Sequence, residues 1–297
     1  MAKSWTVREV LGWTKDYFRR SGIEAARLEA EILLSHVLRA DRLELYLQPE
    51  RVLTDPERLD FKKLIQQRHE GTPLQYLIGE VEFLGCRLKV SPVALIPRPE
   101  TEELVERIVK DFFGSPIFPA RILDLGTGTG AIAIALARAF QHAQILAVDL
   151  SERALGLASE NARANGVEAR VRFLQSDWYE NVSGVFDLIV SNPPYIPREE
   201  LEHLQTEVKR EPVIALDGGP SGLEAIAHIV SRSVEFLRPQ GRLYLEMGDT
   251  QASRVRELIE QTETFHLDIL RDIAGKERFV RAERLASRNI GTFAEQQ

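Results

Sequence analysis

One cysteine, Cys86, stands among 297 residues, so no disulfide closes within the chain, and six scattered histidines have no close Cys or His partner, so no metal-ligand spacing is present. Cys86 is expected to pack as a small buried hydrophobe. No apolar run approaches the roughly 20 residues of a membrane span, and the opening MAKSWTVREVLGW lacks the continuous apolar core of a secretion signal. The expectation is a cytoplasmic protein with no membrane association. Positive charge is also in short supply. The net charge is −7; residues 1–75 carry 13 basic against 12 acidic side chains and the remainder 25 against 33. That balance argues against a protein that coats nucleic acid by neutralising phosphates, while leaving room for a local basic patch. Internal repeats and low-complexity tracts are absent.

What is present is enough apolar sequence, 44% of the chain, to build one large domain and one small one. From Thr6 to about Arg68 apolar residues recur at helical spacing: Val7, Val10, Leu11, Trp13, Tyr17 and Phe18, then Ala25, Leu28, Ile32, Leu33, Val37 and Leu38, then Leu59, Phe61, Leu64 and Ile65. Ser21-Gly22, Gln48-Pro49 and Thr54-Asp55-Pro56 punctuate them, which predicts a bundle of about four helices over residues 1–75. Such a module more often recognises a protein or folds over a site than performs chemistry. Val81 to Val90 reads as two short strands turning near Gly85, a hairpin linker spanning 76–95. After Ile96-Pro97-Arg98-Pro99 a helix starts at Glu100 or Thr101, read equally well as a capped start or as part of a site.

From Arg121 the pattern alternates. Strands are expected at 122–125, 145–148, 171–174, 187–190 and 242–246, with helices at 131–140, 151–165, 222–237 and 254–260 between them. Two closing strands near 266–270 and 278–281 form an antiparallel pair. Alternation of this kind specifies an α/β fold, a parallel sheet covered by helices, over residues 96–285, with a flexible tail at 286–297. A long insertion runs from Ile196 to Pro220.

The chemistry-bearing residues fall at the carboxyl ends of the predicted strands, where open α/β sheets place their sites. Gly126-Thr127-Gly128-Thr129-Gly130 makes the first strand-to-helix turn, and glycines there let backbone amides approach an oxygen-rich ligand. The spacing is G-x-G-x-G and departs from the dinucleotide fingerprint. Asp149 ends the next strand, placed to accept hydrogen bonds from a ribose diol. Asp177-Trp178 follows the third strand and suits an adenine ring, or simple packing. Asn192-Pro193-Pro194-Tyr195 follows the fourth: two prolines stiffen the turn, and an amide, free carbonyls and a ring suit a flat group bearing N–H donors. The plainer reading is a proline-rich loop with a packing tyrosine.

Taken together, D-L-G-T-G-T-G, Asp149 and the Asn192 to Tyr195 turn resemble a class I S-adenosylmethionine-dependent methyltransferase with a Rossmann-like seven-stranded sheet. The closer resemblance is to the bacterial peptide-chain release factor glutamine methyltransferases. Pro97-Arg98-Pro99-Glu100-Thr101-Glu102, Glu211-Pro212, Leu216-Asp217-Gly218-Gly219, Gly222-Leu223 and Gly275-Lys276-Glu277-Arg278 carry that resemblance over nearly the whole length. Leu84 departs from it, where many relatives have an aromatic.

The resemblance implies that the N-terminal helical domain recognises substrate and that Gly126 to Gly130 and Asp149 hold S-adenosylmethionine, with Trp178 beside the adenine. Asn192 would border cofactor and substrate. It further implies methylation of the side-chain amide of the glutamine in a release factor's Gly-Gly-Gln motif, leaving S-adenosylhomocysteine. In that scheme Asn192 and the Pro193 carbonyl accept the amide N–H groups within the Asn192-Pro193-Pro194-Tyr195 turn, and Tyr195 packs against the amide plane. No metal and no stable nucleic-acid binding are expected. An adenine N6-methyltransferase acting on nucleic acid, a methyltransferase of another protein glutamine, an NAD-dependent oxidoreductase and a non-catalytic α/β binding protein are the competing readings.

Overall fold

The computed structural model describes residues 5–113 and 118–286, so the expected tail lies outside the described residues except for its first position. Two compact units emerge. One takes in the chain up to Val81 with Val90–Pro92 and Gln205–Arg210; the other holds Glu82–Lys89, Val93–Leu204 and the chain from Glu211 onward.

The first unit is helical: α1 (Val7–Arg20), α2 (Ala26–Leu38), α3 (Arg42–Leu47), α4 (Asp55–His69) and α5 (Leu74–Ile78). Reciprocal capping boxes start α1, between Thr6 and Glu9, and α4, between Thr54 and Glu57, each satisfying donors that a helix start leaves open. About four helices are legible in the sequence and five are found among the described residues, because α3 and α5, at six and five residues, are too short to display a period. Phe18, Leu33, Leu34 and Phe61 form the dry centre. Two charges are buried with them, and both are paired. Glu31 accepts from Arg27, Arg42 and Tyr46, and Arg68 donates to Glu29 and Glu207; leaving either unpartnered would cost several kcal/mol, on the order of 3–5.

A two-stranded sheet follows, β1 (Glu80–Phe83) and β2 (Cys86–Lys89), turning through Leu84 and Gly85, both at positive φ, as a two-residue hairpin of this hand requires. Cys86 is fully buried, as expected of a packing thiol.

The first helix of the second unit is α6 (Pro99–Phe112), starting one residue earlier than expected because proline's fixed φ already suits the first helical position. Then come β3 (Arg121–Leu125), α7 (Ala131–Ala139), β4 (Gln144–Asp149), α8 (Glu152–Ala164), β5 (Val171–Gln175) and β6 (Phe186–Ser191). The insertion holds three short 3-10 turns, Arg198–His203, Val208–Arg210 and Val213–Ala215. The unit closes with α9 (Glu224–Phe236), β7 (Leu237–Glu246), α10 (Ala252–Glu260), β8 (Phe265–Arg271) and β9 (Glu277–Arg284). The seven strands lie in the order β5-β4-β3-β6-β7-β9-β8, the first five parallel and β9 antiparallel to both neighbours. β7 starts five residues before the expected Arg242, because Pro239 and Gly241 read as breakers. Gln240 at positive φ and a register shift opposite Phe186 and Leu188 absorb them as an irregularity in the strand.

Every residue of β6 is buried, which marks it as a central strand covered on both faces. Asp187 at its start accepts the backbone N–H groups of Ala120 and Arg121 and a bond from Arg238, so its charge is satisfied at the amino edge, away from the site. At the opposite edge the register brings strand ends level: Leu125 beside Val148 and Ser191, and Ser191 beside Leu245. The chain leaves β3 toward β4 on one side, while β6 pairs on the other, and that reversal opens a crevice at the carboxyl ends.

Candidate active site

A cavity of about 500 Å³ occupies this crevice. The glycine turn forms one wall, held by a carboxylate. The N–H groups of Gly126 and Thr127 donate to the Val148 carbonyl, joining the turn to β4, and Asp149 Oδ2 accepts the Gly128 N–H at 2.9 Å while its Oδ1 accepts from Ser151 at 2.9 Å. The backbone amides of Gly128, Ser151 and Leu150 face the Asp149 carboxylate, whose two oxygens together offer about four acceptor positions, so capacity remains for a ligand. Burial pushes the Asp149 carboxyl above its ordinary range against the pull of those amides. Beneath the turn, Asp124 is fully buried and accepts the Thr127 hydroxyl at 2.6 Å; desolvation pushes its carboxyl up to about 7.

Gly126, Thr127, Gly128 and Thr129 line the cavity, whereas Gly130 sits behind it. At φ +83, a Cβ on Gly130 would stand 3.1 Å from that of Ala158 and 3.2 Å from Ile134, so glycine here permits close packing of α7 and α8. Asp177 and Trp178 also line the cavity. Trp178 adopts φ +47, a conformation rare for a bulky residue, with its carbonyl tied to the Ser176 hydroxyl at 2.9 Å and its ring over Gly126.

The stiff turn after β6 supplies the opposite wall. Asn192 and Pro194 face the cavity, while Pro193 is buried. The Asn192 side-chain nitrogen donates to Thr101 Oγ1 at 3.0 Å, and Thr101 in turn donates to Glu246 Oε2 at 2.7 Å. The Tyr195 ring, expected against a substrate amide plane, packs on the core cluster and sends its hydroxyl to Glu246 Oε1 at 3.3 Å. Burial raises the Tyr195 hydroxyl well above its ordinary range, which keeps it a donor. Thr101 and Glu246 are absent from the sequence-derived site. Thr101 lies on the buried face of α6 with Leu104, Val105 and Ile108, and a hydroxyl there needs polar partners. Glu246 was discoverable by the same rule as Asp149, an acid ending a parallel strand.

Gln251 staples the turn from behind, donating from Nε2 to the carbonyls of Tyr195 at 2.9 Å and Gly222 at 3.0 Å. Gly222 has φ +76, and a Cβ there would fall 2.6 Å from the Tyr195 oxygen and 2.9 Å from Gln251 Nε2. Gly222→Ala is expected to lose about 2–4 kcal/mol of folding stability through backbone strain and overpacking. Urea denaturation measures it, with Gly12→Ala as the control, since nothing lies within 4 Å of a Cβ added there.

Comparison with known proteins places this geometry in a family. A model described as the PrmC N-terminal domain matches residues 9–79, and one described as the methyltransferase small domain matches residues 101–210. The release factor glutamine methyltransferase of Rhodopirellula baltica is 39% identical over 93% of this chain and 95% of its own. That of Geobacter sulfurreducens is 42% identical over 87% and 89%. Among solved structures, the hMettl16 catalytic domain in complex with a MAT2A 3'UTR hairpin superposes with a TM-score of 0.56 at 16% identity, covering 80% of this chain and 85% of that one, a likeness of fold alone. With a methyltransferase sheet, a glycine turn clamped by a strand-ending acid, and identity near 40% along almost its whole length, the chain belongs to the release factor glutamine methyltransferase family.

Proposed function

We propose that the protein transfers a methyl group from S-adenosylmethionine to the side-chain amide nitrogen of the glutamine in the Gly-Gly-Gln motif of a peptide-chain release factor, working in the cytoplasm where translation runs. The observation that carries this reading is the pinned Asn192 amide: its nitrogen is bound to Thr101, so its oxygen is the atom left for the cavity.

The residues fit the cofactor. Asp149 keeps acceptor capacity suited to a ribose diol, the turn from Gly126 to Thr129 lets a ligand approach the backbone closely, and Trp178 offers an aromatic face beside them. S-adenosylmethionine, when bound, supplies an electrophilic methyl carried on a sulfonium. An amide nitrogen is a poor nucleophile because its lone pair is delocalised into the carbonyl. Asn192 Oδ1 and the Pro193 carbonyl accept the two N–H bonds of the substrate amide and orient its nitrogen; as the N–CH3 bond forms and the S–CH3 bond breaks to leave S-adenosylhomocysteine, one N–H proton passes to solvent, and no side chain of the enzyme becomes covalently linked. The gain comes from orientation and fixed dipoles, with no solvent reorganisation during the step. Proline at 193 and 194 stiffens the backbone that carries both acceptors. Tyr195 acts through Glu246.

Incubation with a release factor and labelled S-adenosylmethionine, followed by mapping of the label by mass spectrometry, tests the reading. Label on the Gly-Gly-Gln glutamine is expected. Label absent from that residue, or found on RNA or DNA offered in the same assay, overturns it.

A further inference from the structure

We propose that Glu246, acting through Thr101, is the positioning residue that decides which end of the Asn192 amide faces the cavity, and thereby makes the site accept a glutamine amide and reject a glutamate carboxylate. The inference rests on the functional reading above and deepens it.

Hydrogen-bond direction sets the orientation. An asparagine amide is nearly symmetric in shape, and its oxygen and nitrogen ends exchange at little steric cost, so a partner must tell them apart. Thr101 is that partner, yet a hydroxyl alone cannot do so, because it both donates and accepts. A carboxylate only accepts. With Glu246 Oε2 at 2.7 Å, the single Thr101 hydrogen is committed to Glu246, and the Thr101 oxygen is left as an acceptor for Asn192 Nδ2 at 3.0 Å. Asn192 Oδ1 then faces the cavity as an acceptor, the end that an N–H donor needs and a carboxylate avoids.

The carboxylate is itself held. Its other oxygen takes the Tyr195 hydroxyl, which leaves Thr101 the sole side-chain partner of Oε2 among the described residues. The side chain is buried, and parallel register sets it beside Asn192: Ser191 pairs with Leu245, and the residues that follow each are Asn192 and Glu246. A buried carboxylate of this kind costs folding energy, so a purely structural position would be better filled by an apolar residue.

Protonation reverses the logic. Burial pushes the Glu246 carboxyl up to about 7; the Thr101 and Tyr195 hydroxyls pull it down, Glu100 on α6 pushes it up, and Arg278 on β9 pulls it down from among its own partners Asp249 and Asp272. A protonated Glu246 donates to Thr101, which frees the Thr101 hydrogen to turn toward Asn192 and favours the opposite amide orientation. The active form is the carboxylate, so turnover rises with pH through this range.

Glu246→Gln removes the acceptor-only partner in nearly the same volume, so the Thr101 hydrogen is no longer committed to position 246 and is free to turn toward Asn192. The test uses full-length protein, a release factor as substrate, and the same factor with glutamate in place of the motif glutamine as competitor. The unmodified enzyme is expected to favour the glutamine protein by at least about tenfold. In Glu246→Gln that preference collapses toward parity and kcat falls about 10- to 100-fold, while S-adenosylmethionine affinity by calorimetry changes less than about threefold. The rise of kcat with pH near neutrality is lost as well. Thr101→Val is expected to reproduce the loss of preference and Thr101→Ser to restore it, so the test stands even if Glu246→Gln fails to fold. Preference and pH profile unchanged in Glu246→Gln or Thr101→Val, with the unmodified enzyme active on glutamine, overturn this inference and leave the functional reading intact. An unmodified enzyme that does not methylate the glutamine overturns the reading beneath it.

Discussion

Asn192→Ala is expected to lower kcat about 10³-fold, equivalent to about 4 kcal/mol of transition-state stabilisation, while S-adenosylmethionine binding stays within a few-fold. The reason is a division of labour between the two walls of the cavity. Asp149 and the glycine turn have their own hydrogen-bond support from Val148 and Ser151, none of which passes through Asn192. Asn192 is held from the other side, by Thr101 and Glu246. Removing its amide deletes the acceptor proposed to orient the substrate nitrogen and leaves Asp149 and the glycine turn standing. Single-turnover methylation and calorimetry on the same preparation separate the two. A parallel collapse of binding and turnover would show that Asn192 holds the pocket together and does not act selectively on the substrate.

Asp149→Ala is expected to do the opposite, weakening S-adenosylmethionine binding about 10²-fold or more, since two hydrogen bonds to a charged acceptor are worth about 1.5–3 kcal/mol each. Folding stability should change by no more than about 1 kcal/mol, because the backbone amides it releases lie at a cavity wall open to water. The sign of the pH effect supports this. Burial raises the Asp149 carboxyl above its unfolded value, so its contribution to stability is present at low pH and is lost as pH rises through the folded value. At neutral pH the carboxylate is maintained at a cost to folding, as expected of a group retained for binding. Calorimetric titration with S-adenosylmethionine and a urea melt at pH 7.5 give both quantities; an unfolded variant, or one that binds normally, contradicts the assignment.

Much of the second unit is readable from the sequence because its signals are local. A short apolar run such as Ile122–Leu125 followed by Gly126 to Gly130, or Ile145–Val148 followed by Asp149, carries strand, turn and ligand chemistry within ten residues. The β7 start is not readable, because Pro239 and Gly241 break the pattern and only pairing against Phe186 and Leu188 draws them into the strand. Tyr195 shows the same limit. Its place in the turn suggested contact with a substrate, but a ring on a stiff loop goes where apolar surface awaits it, and the core offered that surface while Glu246 offered a partner for the hydroxyl.

By itself the sequence determined the strand–helix alternation, the glycine turn, the acid at Asp149, the stiff Asn192 to Tyr195 turn, and through these the class of chemistry, because spacing along the chain sets period, turn geometry and donor type. Tertiary structure alone decided which way the Asn192 amide faces. Thr101 and Glu246 lie 91 and 54 positions away in the chain, and hydrogen-bond direction is a property of partners that meet only when α6 packs at the carboxyl ends of β6 and β7.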